Sequence, residues 1–195
     1  TFALDGGGAV MNQGIHTIDL LLWFLGAPKR VSATAGLVAH AGIEVEDIAA
    51  GWIEFANGCR ATLASSTACW SATGFPAEIR IHGTTGAAVL RDDKLTAFEF
   101  EKPLPSDAAV IAPASEGGGA GANDPKAIGH AWHRSNLEEA IAAIRAGKQP
   151  AVNGAEGRKA VELILALYQS AQASGTPIDL PLVKDPSLKK LGSKS

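Results

Sequence analysis

Between Arg30 and Phe100 the sequence offers six short apolar or alternating runs separated by little more than tight-turn residues. No other feature limits the fold as strongly. The runs are Arg30–His40, Glu46–Phe55, Cys59–Trp70, Ala77–His82, Ala87–Arg91 and Lys94–Phe100. Asn57-Gly58 is the strongest hairpin signal, because a two-residue type I′ turn needs positive φ at both central positions. Thr84-Thr85-Gly86 and Asp92-Asp93 read as further tight turns. Strands joined this closely must be antiparallel, since a parallel pair needs a crossover of a dozen or more residues. Ala77–His82 alternates Glu78, Arg80 and His82 against Ala77, Ile79 and Ile81, the pattern of a strand with one wet face. Glu46–Phe55 and Cys59–Trp70 instead carry small or apolar residues on both faces, with Glu54 and Arg60 as the main charges past their ends. Both faces are therefore expected to be covered, one by helices and the other by a second subunit or domain. Ile53 and Thr62 are taken as outward positions. Left bare, that face exceeds the few hundred Å² of apolar patch that soluble monomers tolerate, so a dimer or tetramer through it is expected.

Helical periodicity flanks this block. Val10, Met11, Ile15, Ile18, Leu21, Leu22 and Leu25 place a helix over Gly8–Leu25, with Gly26 and Pro28 as its stop. Two more are expected at the end of the chain: His130–Ala146, with Leu137, Ala140, Ile141 and Ile144 inward, and Gly154–Ala173, with Val161, Ile164, Leu165 and Tyr168 inward. Pro177–Leu182 reads as a last short edge strand. The fold class is α+β: an open, predominantly antiparallel sheet with helices on one face and the other free for oligomerisation. One domain is expected over residues 1–182, followed by a polar, frayed tail over 183–195.

Composition removes several function classes. The 195 residues carry 19% charged side chains and a net charge of -3, leaving no basic stripe for nucleic acid. No apolar run reaches the length of a membrane span, and His16 and Asp19 interrupt the stretch Ile15–Leu25. Cys59 and Cys69 have neither disulfide-framework nor zinc spacing, which fits a reducing cytoplasm. Between Pro103 and Ala127 the chain is rich in Gly, Ala, Pro and Ser. Gly117, Gly119 and Ala122 have the spacing of a dinucleotide fingerprint, but Asn123-Asp124-Pro125 follows where a helix is required. Gly6-Gly7-Gly8 lacks the Lys-Ser/Thr ending of a phosphate loop and reads as a turn into the first helix.

That helix carries the candidate chemistry. Asn12, His16 and Asp19 recur at steps of four and three inside an apolar run, which puts all three on one helical face. A His between two hydrogen-bonding neighbours suits proton transfer near neutrality. The pattern equally allows a core histidine with one satisfied nitrogen. A metal-assisted hydrolase built on His16 and Asp19 has too few ligands.

Four segments, in order, resemble the C-terminal domain of the glucose-fructose oxidoreductase and inositol dehydrogenase (Gfo/Idh/MocA) family. They are Gly6-Gly7-Gly8-Ala9-Val10-Met11-Asn12-Gln13-Gly14-Ile15-His16-Thr17-Ile18-Asp19; Val45-Glu46-Asp47; Ile81-His82-Gly83-Thr84-Thr85-Gly86; and Ala140 to Gly147 leading to Pro150, then Gly154 to Ser170. The likeness covers about Asp5 to Leu182. It implies an NAD(P)-dependent dehydrogenase acting on a sugar or polyol, whose N-terminal half binds NAD or NADP and is absent from this chain. This chain then holds the substrate residues and the oligomer contact, and by itself is inactive. His16 is the implied acid/base, with Asn12 and Asp19 holding substrate hydroxyls; no residue here is assigned to the cofactor or to a metal. A non-catalytic binding or assembly module descended from such an enzyme is the alternative.

The resemblance has two departures. Many members carry Asp where this chain has Asn12; an amide still bonds a hydroxyl but brings no negative charge. The family's catalytic lysine sits in a Glu-Lys-Pro motif of the nucleotide-binding half, so Glu101-Lys102-Pro103, placed after the last strand of the block, is a coincidence of spelling. His130 and His133 rank below His16, at the start of a helix, and His40 and His82 read as strand or turn positions. Trp23, Trp52, Trp70 and Trp132 are expected in the core or an interface.

Overall fold

The computed structural model describes residues 1–72, 74–92, 94–111 and 130–189, with the side chains of 130–132 left out. It divides into two compact units, one of residues 1–70 and 154–195, the other of 71–153.

In the first unit a short helix α1 (Phe2–Asp5) leads through the glycine turn into a π-helical turn (Val10–Gly14) continuous with α2 (Ile15–Leu25). Three strands follow, β1 (Pro28–Gly36), β2 (Ile48–Phe55) and β3 (Arg60–Ser66), and the chain returns as α5 (Gly154–Gln172) and β7 (Ile178–Asp179). The sheet runs β3-β2-β1-β7, every pair antiparallel. The β2–β3 hairpin closes around Asn57-Gly58, but not in a two-residue turn: of the pair only Gly58 has positive φ, 88°, the Gly58 amide donates to the Phe55 carbonyl at 3.0 Å and the Phe55 amide to the Cys59 carbonyl at 2.9 Å, so Ala56, Asn57 and Gly58 form a three-residue turn, and the Asn57 side chain donates to the Leu25 carbonyl at 3.0 Å.

The register fixes which side of each strand faces the helices. Val31, Ile53 and Ala61 lie side by side, as do Ala33, Gly51 and Leu63. This face packs under α5 and α2, where Val10, Ile18, Leu22, Leu163, Ile164, Ala166, Leu167 and Tyr168 complete the core. Ile53 is therefore inward and fully buried, not outward as expected. Its neighbours Trp52 and Thr62 pair with each other on the opposite face, next to Ser32, and both are exposed. A strand apolar at both phases contains no information about which phase faces in.

Three strands are shorter than the runs that announced them, for one reason: Glu46 and Asp47 divert the backbone. Asp47, fully buried, accepts the amides of Val38, Ala39 and His40 at 2.8 to 2.9 Å. That ends β1 at Gly36. The Asp47 carbonyl accepts Ser66 Oγ and the Thr67 amide, which ends β3. Ser170, buried on α5, ties helix to sheet by accepting the Ala33 amide and donating to the Thr176 carbonyl. The expected frayed tail is docked through residue 189: Leu188 packs against the core, and the Gln172 side chain bonds both the amide and the carbonyl of Lys189.

The second unit holds a separate antiparallel meander, β4 (Glu78–His82), β5 (Gly86–Arg91) and β6 (Lys94–Phe100), with the short α3 (Asp107–Val110) and the longer α4 (His130–Arg145). Glu78 bridges Arg80 and Arg91, and those two hydrogen bonds hold its carboxyl below the usual range. Leu137, Ile141 and Ile144 of α4, expected inward, are exposed at 63, 47 and 67%. Periodicity identifies a face that favours burial; it does not supply the partner. The described tryptophans likewise lie outside the core, Trp23 at 78%, Trp52 at 41% and Trp70 at 86% exposure.

Candidate functional site

The first helix is held at its start by a residue 36 positions away. A helix leaves its first amides without intrahelical acceptors, and here Glu46 supplies three of them. Its Oε2 accepts the Gly8 amide and its Oε1 the Val10 amide, both at 2.9 Å, while its own carbonyl accepts the Ala9 amide at 3.1 Å. Tyr168 of α5 donates its hydroxyl to Oε1 at 2.9 Å. Glu46 is 1% exposed, so these bonds satisfy an otherwise costly buried acid. They also place a carboxylate at the positive end of the helix dipole.

This grip explains the triple glycine. A Cβ on Gly7 falls 2.2 Å from the Tyr168 hydroxyl, and one on Gly8 falls 1.8 Å from the Glu46 carbonyl oxygen. The glycines admit protein groups, and the space that a phosphate would need is filled. Tyr168 is 1% exposed, and burial first, then the nearby Glu46 charge, pushes its phenol well above the ordinary tyrosine range.

The π-turn then sets the register of the helix. Val10 and Ile18 are eight residues apart, which in an uninterrupted α-helix leaves them about 80° apart around the axis. A π-turn absorbs one extra residue, and Val10, Ile18 and Leu22 are all buried. The opposite side carries the predicted residues. Asn12, His16 and Asp19 are all exposed, along one continuous helix. The Asn12 side-chain oxygen accepts Gln13 Nε2 at 2.8 Å, and its amide donates to the Gly8 carbonyl. Gly14, between Asn12 and His16, approaches Ser65 of β3. His16 is not the core histidine that the pattern also allowed. Its side chain is exposed to solvent.

The lesser candidates lie elsewhere. His40 is half exposed and its Nδ1 sits 3.1 Å from Asp47 Oδ2. Burial alone raises the Asp47 carboxyl, but the amides of His40, Ala39 and Val38 and the His40 ring outweigh it and hold Asp47 well below the carboxylate range. His82 and His133 are exposed on β4 and α4. The Gly117 to Ala122 segment and the side chains of His130 and Trp132 lie outside the described residues. Lys102 is exposed past the end of β6. Among the described residues no helix is long and apolar enough to cross a membrane, and no group of three His, Cys, Asp or Glu side chains is placed to hold a metal ion.

Sequence reasoning quoted Glu46 and Asp47 as motif residues without giving either a task. The available signal was two adjacent acids heading an apolar strand, where an acid is buried only if it is paired.

Residues 1–89 match the family model described as the GFO/IDH/MocA C-terminal domain. No curated protein matches the sequence. Among solved structures the chain is similar to the WlbA dehydrogenase from Bordetella pertussis, in complex with NADH and UDP-GlcNAcA, at 26% identity and a TM-score of 0.71, covering 90% of this chain and 47% of that one. An aldose-aldose oxidoreductase from Caulobacter crescentus, complexed with glycerol, shares the fold at 23% identity and a TM-score of 0.65, over 92% of this chain and 50% of that one. A levoglucosan dehydrogenase in complex with NADH does so at 19% identity and a TM-score of 0.68, over 94% and 53%. The chain thus spans about half the length of the solved structures it matches.

Proposed function

We propose, from the match of residues 1–89 to the GFO/IDH/MocA C-terminal domain, that this chain is the substrate-binding and oligomerisation half of an NAD(P)-dependent, cytoplasmic oxidoreductase acting on a CH–OH group of a sugar or polyol. One domain then spans residues 1–182, and the cofactor is held by a nucleotide-binding domain outside this chain. The single observation that carries the reading is the exposed row Asn12, His16 and Asp19 on a helix whose opposite side is locked into the core.

The chemistry divides between the two halves. A bound nicotinamide supplies the acceptor for the hydride that leaves the substrate carbon. This chain supplies the proton site: as the C–H bond breaks and the carbon becomes a carbonyl, the hydroxyl proton passes to His16. Asn12 and Asp19 orient the hydroxyls around that carbon, Asn12 as both donor and acceptor, Asp19 as acceptor. The glycine turn before the first helix is filled by Glu46 and Tyr168 and leaves no cradle for a pyrophosphate there. The similarity to a dehydrogenase solved with UDP-GlcNAcA makes a nucleotide-linked sugar acid the first substrate to test.

The test is His16→Ala in the enzyme that contains this chain, followed by NADH formation with UDP-GlcNAcA and, separately, inositol. Turnover should fall by on the order of 10² to 10⁴ while circular dichroism stays at wild type. Unchanged turnover removes His16 from the mechanism.

A further inference from the structure

We propose that Glu46 is the positioning residue of this site: by holding the amides of Gly8, Ala9 and Val10 it fixes the π-turn, and so sets where Asn12 and His16 stand. The inference rests on the reading of His16 as the acid/base.

Both carboxylate oxygens and the carbonyl of Glu46 are used, and every main-chain donor among them belongs to the two residues before the π-turn or to its first residue. None serves the sheet on which Glu46 borders. Gly7 and Gly8 carry no side chains where a Cβ meets Tyr168 and Glu46 within 2.2 and 1.8 Å, so the sequence concedes backbone freedom to admit these two groups. Tyr168 approaches from α5, 122 residues away, and fixes the carboxylate from the other side.

The consequence falls on register. A π-turn is one residue wider than an α-turn and is frequent at functional sites. It brings Val10, about 80° from Ile18 in a straight α-helix, closer to the line of Ile18 and Leu22; Asn12 lies inside the widened turn and His16 in the α-turn that follows. Relaxation of the turn to α geometry rotates Asn12 relative to His16, so the hydroxyl that Asn12 holds no longer meets the base. A displacement of about 1 Å in such a pair costs on the order of 10²-fold in rate.

Glu46→Gln tests this with little change in shape. A carboxamide has one acceptor oxygen, so either the Gly8 amide or the Val10 amide with the Tyr168 hydroxyl loses its partner. Tyr168→Phe is the companion, because it keeps both amide bonds and should leave the turn in place. Amide hydrogen exchange and steady-state kinetics are measured together, on the enzyme that contains this chain, with UDP-GlcNAcA and NAD+. The expected result for Glu46→Gln is faster exchange confined to residues 8–16, with α5 amides unchanged, a kcat lowered on the order of 10²-fold, and an unaltered KM for NAD+. Tyr168→Phe, which keeps both amide bonds but frees one side of the carboxylate, should lower kcat in the same direction and by less than Glu46→Gln. Wild-type exchange over residues 8–16 in Glu46→Gln, or wild-type kcat in Glu46→Gln where His16→Ala is inactive, overturns the positioning role alone. Full turnover in His16→Ala sinks the acid/base reading and this proposal with it.

Discussion

Gly8→Ala should destabilise the chain far more than a surface loop change, and Gly14→Ala, six residues on, should do the opposite. A Cβ on Gly8 begins 1.8 Å from the Glu46 carbonyl oxygen, where ordinary contact starts at 3.4 Å. The obstruction is backbone, so the turn and the start of β2 must part by the difference. The three bonds between Glu46 and the amides of Gly8, Ala9 and Val10, now 2.9 to 3.1 Å, are then beyond hydrogen-bond range. At about 1 kcal/mol for the neutral bond and 1.5 or more for each charge-assisted one, with a buried carboxylate left short of donors, the loss is about 4 kcal/mol. That is a large part of the 5–15 kcal/mol typical of a domain. At Gly14 the nearest atom to an added Cβ is Ser65 Oγ at 3.6 Å, an ordinary contact, and φ is -69°. Alanine there gains about 0.5–1 kcal/mol of helix propensity. Urea denaturation of both variants, followed by circular dichroism, measures the pair. A Gly8→Ala loss under about 1 kcal/mol, or losses of equal size at the two positions, refutes the filled-turn argument.

The remaining predictions concern pH, cofactor and assembly. Asp47 is held below its unfolded range of about 4 by amides that the unfolded chain lacks, so its contribution is present above that pH and is lost as the solution is acidified through the lower folded value. Denaturation midpoints between pH 2 and 6 should therefore be flatter in Asp47→Asn than in wild type, and equal slopes count against the network. Tyr168 is shifted the other way: its contribution is complete below the unfolded value of about 10 and is lost as pH rises beyond it, because only the unfolded phenol ionises freely. Tyr168→Phe should remove that alkaline decline in thermal scans, and an undiminished decline assigns it to other groups. The isolated chain should show no saturable NADH binding in a fluorescence titration, and a low-micromolar Kd overturns the placement of the cofactor site outside it. Light scattering should give at least twice the 20.0 kDa chain mass, with Thr62→Glu shifting the population to monomer; a strictly monomeric wild type at micromolar concentration removes the sheet-face interface.

The parts of this fold that were legible in the sequence are those decided by neighbours in the chain. Asn57-Gly58 announces its hairpin, though not the three-residue length of the turn, because a glycine that takes positive φ is a local choice, and the alternation of Glu78 to His82 reads directly as a strand with one wet side. Ile53 was misplaced for the converse reason. Gly51, Trp52 and Ile53 are apolar or small at both phases, and the choice is made by what the sheet packs against: Ile53 joins the core with Val31, Leu163 and Ile164, while Trp52 lies on the other face. The candidate site divides along the same line. Asn12, His16 and Asp19 announce themselves by helical spacing, whereas their support comes from Glu46 and from Tyr168, which joins the network only through the tertiary fold. The π-turn itself was not legible there: in straight α geometry Val10, Ile18 and Leu22 already fall within about 120° of arc, with the polar row on the other side, so the turn is seen only in the structure, where the distant Glu46 holds the backbone.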